Sequence, residues 1–267
     1  MRKLKIFSVL LLLVSAGAFI AFQAYMKVVQ DDTPPVVICD SKELTVTVAA
    51  TDEELLEGVS AKDRRSGDVT DTLVIESLSA FTEDGTRIIT YAAVDESMNV
   101  GRCERTLIYE DYEPPVFHMS EPLCYMVGSD VDILSAISAD STLDGSLTSN
   151  IKYSLEKTVN TMTAGNYPIE FRVMDSGGKT VYLDTQIEIY DRTYAGIEVN
   201  LTDYLVYVKQ GQEFDPQNYY AGADREGELT IQSNVNTSEA GTYYVDYIVN
   251  GISVSGKSRL VVVVQEG

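Results

Sequence analysis

Asp63, Asp68 and Asp71 fall in one short stretch, Asp63-Arg-Arg-Ser-Gly-Asp-Val-Thr-Asp71, with Gly67 at its centre. Carboxylates on a glycine-bearing loop suit a hard cation such as calcium, which takes about six to eight oxygen ligands. The same residues suit a turn with no cofactor. An aspartate accepts hydrogen bonds from backbone N–H groups just beyond it, and glycine takes backbone angles that other residues resist. Both readings stand at this level: calcium on Asp63, Asp68 and Asp71, or a capped turn.

Catalytic chemistry has little material. The only histidine, His118, follows Pro115 in an apolar stretch and reads as an ordinary strand residue. Without a second histidine, neither a histidine-rich metal site nor a nucleophile with its base can be assembled around it. The 41 acidic residues leave paired carboxylates for glycoside hydrolysis conceivable, but no pair stands out and there is no tryptophan for sugar stacking. The expectation is that the chain is not an enzyme. Tyrosine is abundant towards the C-terminus, and Tyr219, Tyr220 and Tyr244 are the candidates for an exposed ligand-binding patch.

The Asp-Gly loop is repeated. "AKDRRSGDVTDTL" at 61–73 returns as "SADSTLDGSLTSNI" at 138–151 and "GADREGELTI" at 222–231, which aligns Asp63 with Asp140 and Asp224. Each loop is followed by a block of alternating apolar residues: "GTRIITYAAVD" from Gly85, "GNYPIEFRVMD" from Gly165, "GTYYVDYIVNG" from Gly241. Alternation of this kind marks a strand with one face in a core. A further strand closes each unit, and proline pairs open the first two, "DDTPPVVI" and "DYEPPVFH". "TDEELLEGVSA" at 51–61 and its counterpart "SDVDILSAISA" read as extended-to-turn connectors. Units of this size with short strands and glycine-marked turns indicate an all-β chain of three tandem antiparallel β-sandwiches. The expected boundaries are 1–27 for a tail and membrane segment, then 28–112, 113–191 and 192–267.

The order D-x-x-P-P-V, A-x-D with G-D-V-T, then G-T-x-x-I-x-Y-x-A-x-D resembles the bacterial surface immunoglobulin-like domains, a group that includes a pesticidal-crystal-protein module and is related to hyalin-repeat and cadherin-like modules. The match covers roughly 32–192 well; the third unit lacks the entry prolines and has Asn250-Gly251 in place of the late Asp. The resemblance implies an immunoglobulin-like fold and extracellular spacer, adhesion or recognition modules, without defining one activity.

Cys39 and Cys103 replace apolar residues of the second unit, Met119 and Leu183, in the first and last strands. In an oxidising exterior they can form a Cys39–Cys103 disulfide, and the alternative is two buried thiols. Cys124 has no partner within its unit.

Residues 6–26 carry no charge and follow a basic Met1–Lys5, so as a helix they match a bilayer core of about 30 Å. The basic end should stay cytoplasmic and the rest face outward. The alternatives are an uncleaved signal-anchor, which gives a single-pass cell-membrane protein, or a signal cleaved near Ala16-Gly-Ala18, which gives a secreted one. Four of the 20 basic residues and none of the acidic ones lie in 1–27, leaving a net charge of −25 on the remainder. Nucleic acid is therefore excluded as a partner. The expected partners are the membrane, through residues 6–26, and a protein or glycan at the surface. The expected function is a non-catalytic spacer or adhesion module, with two alternatives: a subunit or sensor of an envelope complex, and an accessory module of an envelope glycan hydrolase.

Overall fold

The computed structural model describes residues 2–29 and 31–267; Met1, at the head of the expected cytoplasmic tail, and Gln30 lie outside the described residues. The chain forms two compact bodies, Met1–Glu110 and Asp111–Gly267. The first holds the N-terminal helix and one β-sandwich, and the second holds two. Helix α1 spans Arg2–Val29, and its side chains from Ile6 to Met26 are uncovered by any other part of the chain. By length and composition it can cross a bilayer or act as a signal sequence.

In the first sandwich, β1 (Val36–Cys39), β3 (Val59–Asp63) and β4 (Gly67–Asp68) form one sheet. The other is built from β2 (Glu43–Val46), β5 (Val74–Leu78), β6 (Arg87–Val94) and β7 (Val100–Tyr109), in the order β2-β7-β6-β5. Alternation along β6 sends Ile89, Tyr91 and Ala93 into the core against Val37, Ala61 and Leu107. The buried Tyr91 hydroxyl is satisfied by donating to the Leu55 carbonyl at 2.7 Å. Cys39 and Cys103 are joined by a disulfide that ties β1 in one sheet to β7 in the other, across a sequence separation of 64.

One connector departs from expectation. Residues 52–56 form a short helix, α2 (Asp52–Leu56), because Thr51 and Glu54 make a capping box: Glu54 N donates to the Thr51 hydroxyl and Thr51 N donates to Glu54 Oε2 at 2.8 Å. The second sandwich has Ser129 and Asp132 at those positions, lacks the glutamate, and forms only turns.

The second sandwich repeats the plan with β8 (Val116–Met119), β9 (Cys124–Met126), β10 (Ile137–Ser141), β11 (Gly145–Ser146), β12 (Lys152–Leu155), β13 (Gly165–Met174) and β14 (Thr180–Tyr190). Its sheets run β11-β10-β8 and β12-β13-β14-β9. The third has β15 (Val199–Leu201) with β17 (Tyr220–Ala223), and β16 (Leu205–Lys209), β18 (Glu228–Ser233), β19 (Gly241–Asn250) and β20 (Ser255–Gln265) in the order β16-β20-β19-β18. The fold is thus all-β, three tandem sandwiches after an apolar helix. Each sandwich also contains a parallel pair, β2 with β7, β9 with β14 and β16 with β20, because the entering chain leaves the first sheet and closes the edge of the last strand in the second.

The second and third sandwiches share buried surface. One face of the β16–β20–β19 sheet packs its own core through Val245, Tyr247 and Leu260, while Leu205, Tyr207, Tyr244 and Val261 on the other face pack against the core of the second sandwich. Charges are buried at the same place. Lys257 Nζ reaches Glu188 at 2.6 Å and Asp246 at 3.0 Å, and Arg259 reaches the same two carboxylates at 2.9 and 2.6 Å. Burial alone would raise the Asp246 carboxyl, but the hydrogen bonds and charges of Arg259 and Lys257 prevail and hold it below its ordinary range. Burial opposes the Lys257 ammonium, and Glu188 and Asp246 outweigh it and raise its pKa. The Cys124 thiol, pushed up by burial and by Glu188, donates to that carboxylate at 3.5 Å and is inert as a nucleophile.

Two measurements check this packing. Lys257→Met leaves Glu188 and Asp246 facing one cation fewer and should destabilise the second body by about 2 kcal/mol in urea, short of the 3–5 kcal/mol of a fully buried pair because the groups are partly wet. In the wild type, the Asp246 contribution is present above its ordinary value of 3.8 and is lost as pH falls through its lower folded value. The Lys257 contribution is present below 10.5 and is lost as pH rises through its higher folded value. Separately, Met98 occupies a left-handed backbone position at φ 68° where the second sandwich has Gly178. Met98→Gly should stabilise the first sandwich by about 1 kcal/mol, read as a higher denaturation midpoint.

Candidate metal centre

The turn between β3 and β4 is capped from within. Asp63 pairs with Gly67 across it, and Asp63 Oδ1 accepts hydrogen bonds from Ser66 N at 2.7 Å and Arg65 N at 2.6 Å. Those bonds, the Ser66 one first, hold its carboxyl below the ordinary range. In the second sandwich Ser141 pairs with Gly145 and its hydroxyl accepts from Leu143 N and Asp144 N at 3.0 and 3.3 Å. Ser141, rather than Asp140, therefore stands where Asp63 stands. The sequence alignment was one residue out, because Asp140 faces outward and pairs with His118.

A second turn lies beside the first. Asp95, 4% exposed, accepts from Ser97 N and Asn99 N through Oδ1, both at 2.8 Å, and from Asn99 Nδ2 through Oδ2 at 2.8 Å. Asn99 Nδ2 also reaches the Asp31 carbonyl at 2.8 Å, which draws in the chain that enters from α1.

Asp31 completes the site. It is 7% exposed; its Oδ1 accepts from the Thr33 N–H and hydroxyl, and its Oδ2 is buried with no hydrogen bond. The nearest cation to Oδ2 is the half-exposed Arg65, with Nε 3.9 Å away. Carboxylate oxygens of Asp31, Asp63 and Asp95 lie within 4.8 Å of one another, and no other such group of acidic, histidine or cysteine ligands occurs among the described residues. Three negative charges this close, with one buried oxygen lacking a donor, are poorly compensated by a single wet guanidinium. All the donors are hard oxygens, which fits calcium or magnesium and not zinc.

The second sandwich resolves the same place differently. Its equivalent of Asp95, Asp175, accepts from Lys179 N at 2.8 Å and from the Tyr112 hydroxyl at 2.6 Å. With Ser141 in place of Asp63 and a tyrosine hydroxyl donating to Asp175, no carboxylate cluster forms there among the described residues.

Of the three residues singled out in sequence, only Asp63 belongs to this site. Asp68 is exposed and accepts from Thr70 N at 3.0 Å, and Asp71 is exposed on the following 3-10 turn. Asp31 and Asp95 were missed because they are 64 residues apart and join only through the fold. The one sequence signal was their recurrence as Asp111 and Asp175. The tyrosines do not form one patch either. Tyr219 stacks on Phe214 at 5.5 Å, Tyr220 stacks on Tyr247 at 6.4 Å, and Tyr244 lies under the Arg259 guanidinium between the second and third sandwiches. All three are half-buried.

No family model matches the chain. An uncharacterized 81.3 kDa protein of Acholeplasma phage L2 is 25% identical over 173 residues, 63% of this chain but only 23% of that protein's length. Among solved structures, Drosophila N-cadherin EC1-3 is 13% identical with a TM-score of 0.33, covering 85% of this chain and 98% of that one. Mouse cadherin-23 EC22-24 is 13% identical with a TM-score of 0.22, covering 88% and 100%. The protocadherin GammaB4 extracellular domain is 13% identical at 0.23, covering 88% and 49%. Superpositions this loose carry no argument about what the chain binds.

If the cluster holds a cation, calcium should raise the melting temperature of the full chain relative to the same protein in EDTA, by the equivalent of about 3 kcal/mol at a hundredfold excess over its Kd. Asp31→Asn should behave oppositely in the two conditions, melting above the wild type in EDTA, where it relieves repulsion, and losing the calcium response.

Proposed function

We infer that the chain is a surface recognition module, held in a membrane by α1, whose first sandwich is clamped to the membrane-proximal segment by a divalent cation. The observation that carries this reading is Asp31 Oδ2, a buried carboxylate oxygen with no hydrogen bond, set among the carboxylates of Asp63 and Asp95 with only the half-exposed Arg65 near it. Asp31 lies two residues beyond Val29, the last residue of α1. Two residue steps reach at most about 7 Å, so the clamped end of the sandwich stays close to the helix end. A cation binding all three carboxylates would join a linker residue to two turns, and so set the direction in which the sandwich leaves the membrane.

Three further features support an exported, non-catalytic role. The disulfide Cys39–Cys103 suits an oxidising compartment. The excess of acid over base suits a solvated exterior. His118 is engaged with Asp140 on an exposed strand surface rather than in a cleft. In this reading the tandem sandwiches present a binding surface away from the membrane.

The placement is tested by labelling. Ser149 is exposed in the second sandwich, and Ser149→Cys should react with a membrane-impermeant maleimide in intact cells, with the protein staying in the membrane pellet after a carbonate wash. Labelling only after lysis would defeat the exported reading, and release by carbonate would defeat the anchor.

A further inference from the structure

The second sandwich carries a cationic strip that the fold does not need. Lys152 on β12 lies directly opposite Arg172 on β13, and Arg172 lies opposite Tyr182 on β14, so the three form one row across the outer face of the sheet. All three are exposed, Tyr182 by 56%. Neither Lys152 nor Arg172 takes part in any ion pair of the described residues. Like charges directly opposite each other destabilise a sheet. The pair is all the more unusual where acids outnumber bases 41 to 16 outside the N-terminal segment.

The first sandwich shows the compensated alternative. Arg102, at the position of Tyr182, is held by both oxygens of Glu76 on the edge strand, each at 2.6 Å. In the second sandwich Lys152 stands at the edge-strand place of Val74 and Arg172 at that of Ala92, and no acid lies in their row. The strip is also concave: Lys152, Arg172, Tyr182, Asn150 and Thr180 line an open groove of about 440 Å³. That volume lies within the range of about 300–1,000 Å³ common to small-ligand sites.

We propose that this groove binds a polysaccharide carrying carboxylate groups on its sugar rings. Arg172 offers a planar fork that matches a carboxylate through two parallel hydrogen bonds, and Lys152 adds a mobile point charge beside it. Tyr182, one strand further on and about 5 Å away, offers an aromatic face for a ring. The anion and the ring of the ligand must then sit within one strand spacing of each other, as they do in a uronic acid. A polyphosphate supplies the charge without the ring. Asn150 and Thr180 at the rim supply the amide and hydroxyl that sugar hydroxyls pair with.

This site deepens the recognition reading and rests on it for where such a polymer would be met, but the binding itself is measured in solution. Full-length protein in detergent and EDTA is titrated with polygalacturonate, with neutral dextran and with inorganic polyphosphate; EDTA keeps the cation cluster out of the measurement. The wild type should bind polygalacturonate in preference to both others. Lys152→Ser with Arg172→Ser should weaken that binding at least tenfold without lowering the melting temperature. Tyr182→Ser should weaken polygalacturonate binding several-fold and leave polyphosphate binding unchanged. Arg172→Lys, which keeps the charge and loses the fork, is the reserve variant should the double one fail to fold, and should also weaken binding. Absence of polygalacturonate binding, equal or tighter binding of polyphosphate with no effect of Tyr182→Ser, or an equal loss on Arg102→Ser would overturn the proposal. So would a dimer of the wild type that the double variant dissolves, since the strip would then serve a second copy. Because the titration does not depend on where the protein resides, failed labelling of Ser149→Cys would defeat the recognition reading while leaving this result standing.

Discussion

Every tight turn in these sandwiches withdraws backbone N–H groups from water, and each has to be met by an acceptor that the fold itself brings in. Asp63 and Asp95 do this in the first sandwich, Ser141 and Asp175 in the second. Where both acceptors are carboxylates, the requirement for capped turns places two negative charges side by side at one end of the sandwich. Asp31 brings a third when Asn99 ties down the incoming chain. The candidate metal centre is therefore a consequence of how the turns are capped. It arises once because only the first sandwich uses aspartate at all three places.

The same scaffold carries different surfaces by small changes at equivalent positions. In the second sandwich the Tyr112 hydroxyl donates to Asp175, a contact the first sandwich has no tyrosine to make. Tyr182 takes the place of Arg102, while Lys152 and Arg172 take those of Val74 and Ala92 and set two cations side by side without an ion pair. In the third sandwich the outer sheet face is given up to packing, with Tyr207, Tyr244 and Val261 against the second core and Lys257 and Arg259 neutralised by Glu188 and Asp246. These substitutions leave the inward alternation of the strands untouched, so one fold accommodates a carboxylate cluster, an open strip and a buried contact.

The architecture was largely legible because it rests on local patterns. Alternation in "GTRIITYAAVD" and its two counterparts placed β6, β13 and β19, and the uncharged run from Ile6 to Met26 placed α1. The positions of Cys39 and Cys103 were read correctly as inward ones, while their pairing across the two sheets needed the fold. Helix α2 was missed although Thr51 and Glu54 have capping-box spacing, because a single turn leaves no periodic signal. The site was legible only through Asp63. Sequence proximity favoured Asp68 and Asp71, which point to solvent, over Asp31 and Asp95, which converge from distant segments. Tyr244 was expected at the surface because alternation separates inward from outward but does not say that an outward face is covered by another sandwich.

The proposed cation site is a single one, built by Asp31, Asp63 and Asp95, and the repeated Asp-Gly turn is not itself a site. Calorimetric titration of calcium into the full chain in detergent measures this directly through its stoichiometry. One calcium per chain is expected, reduced to none by Asp31→Asn and unchanged by Asp68→Asn. A stoichiometry of zero, of three, or of one that survives Asp31→Asn would contradict it.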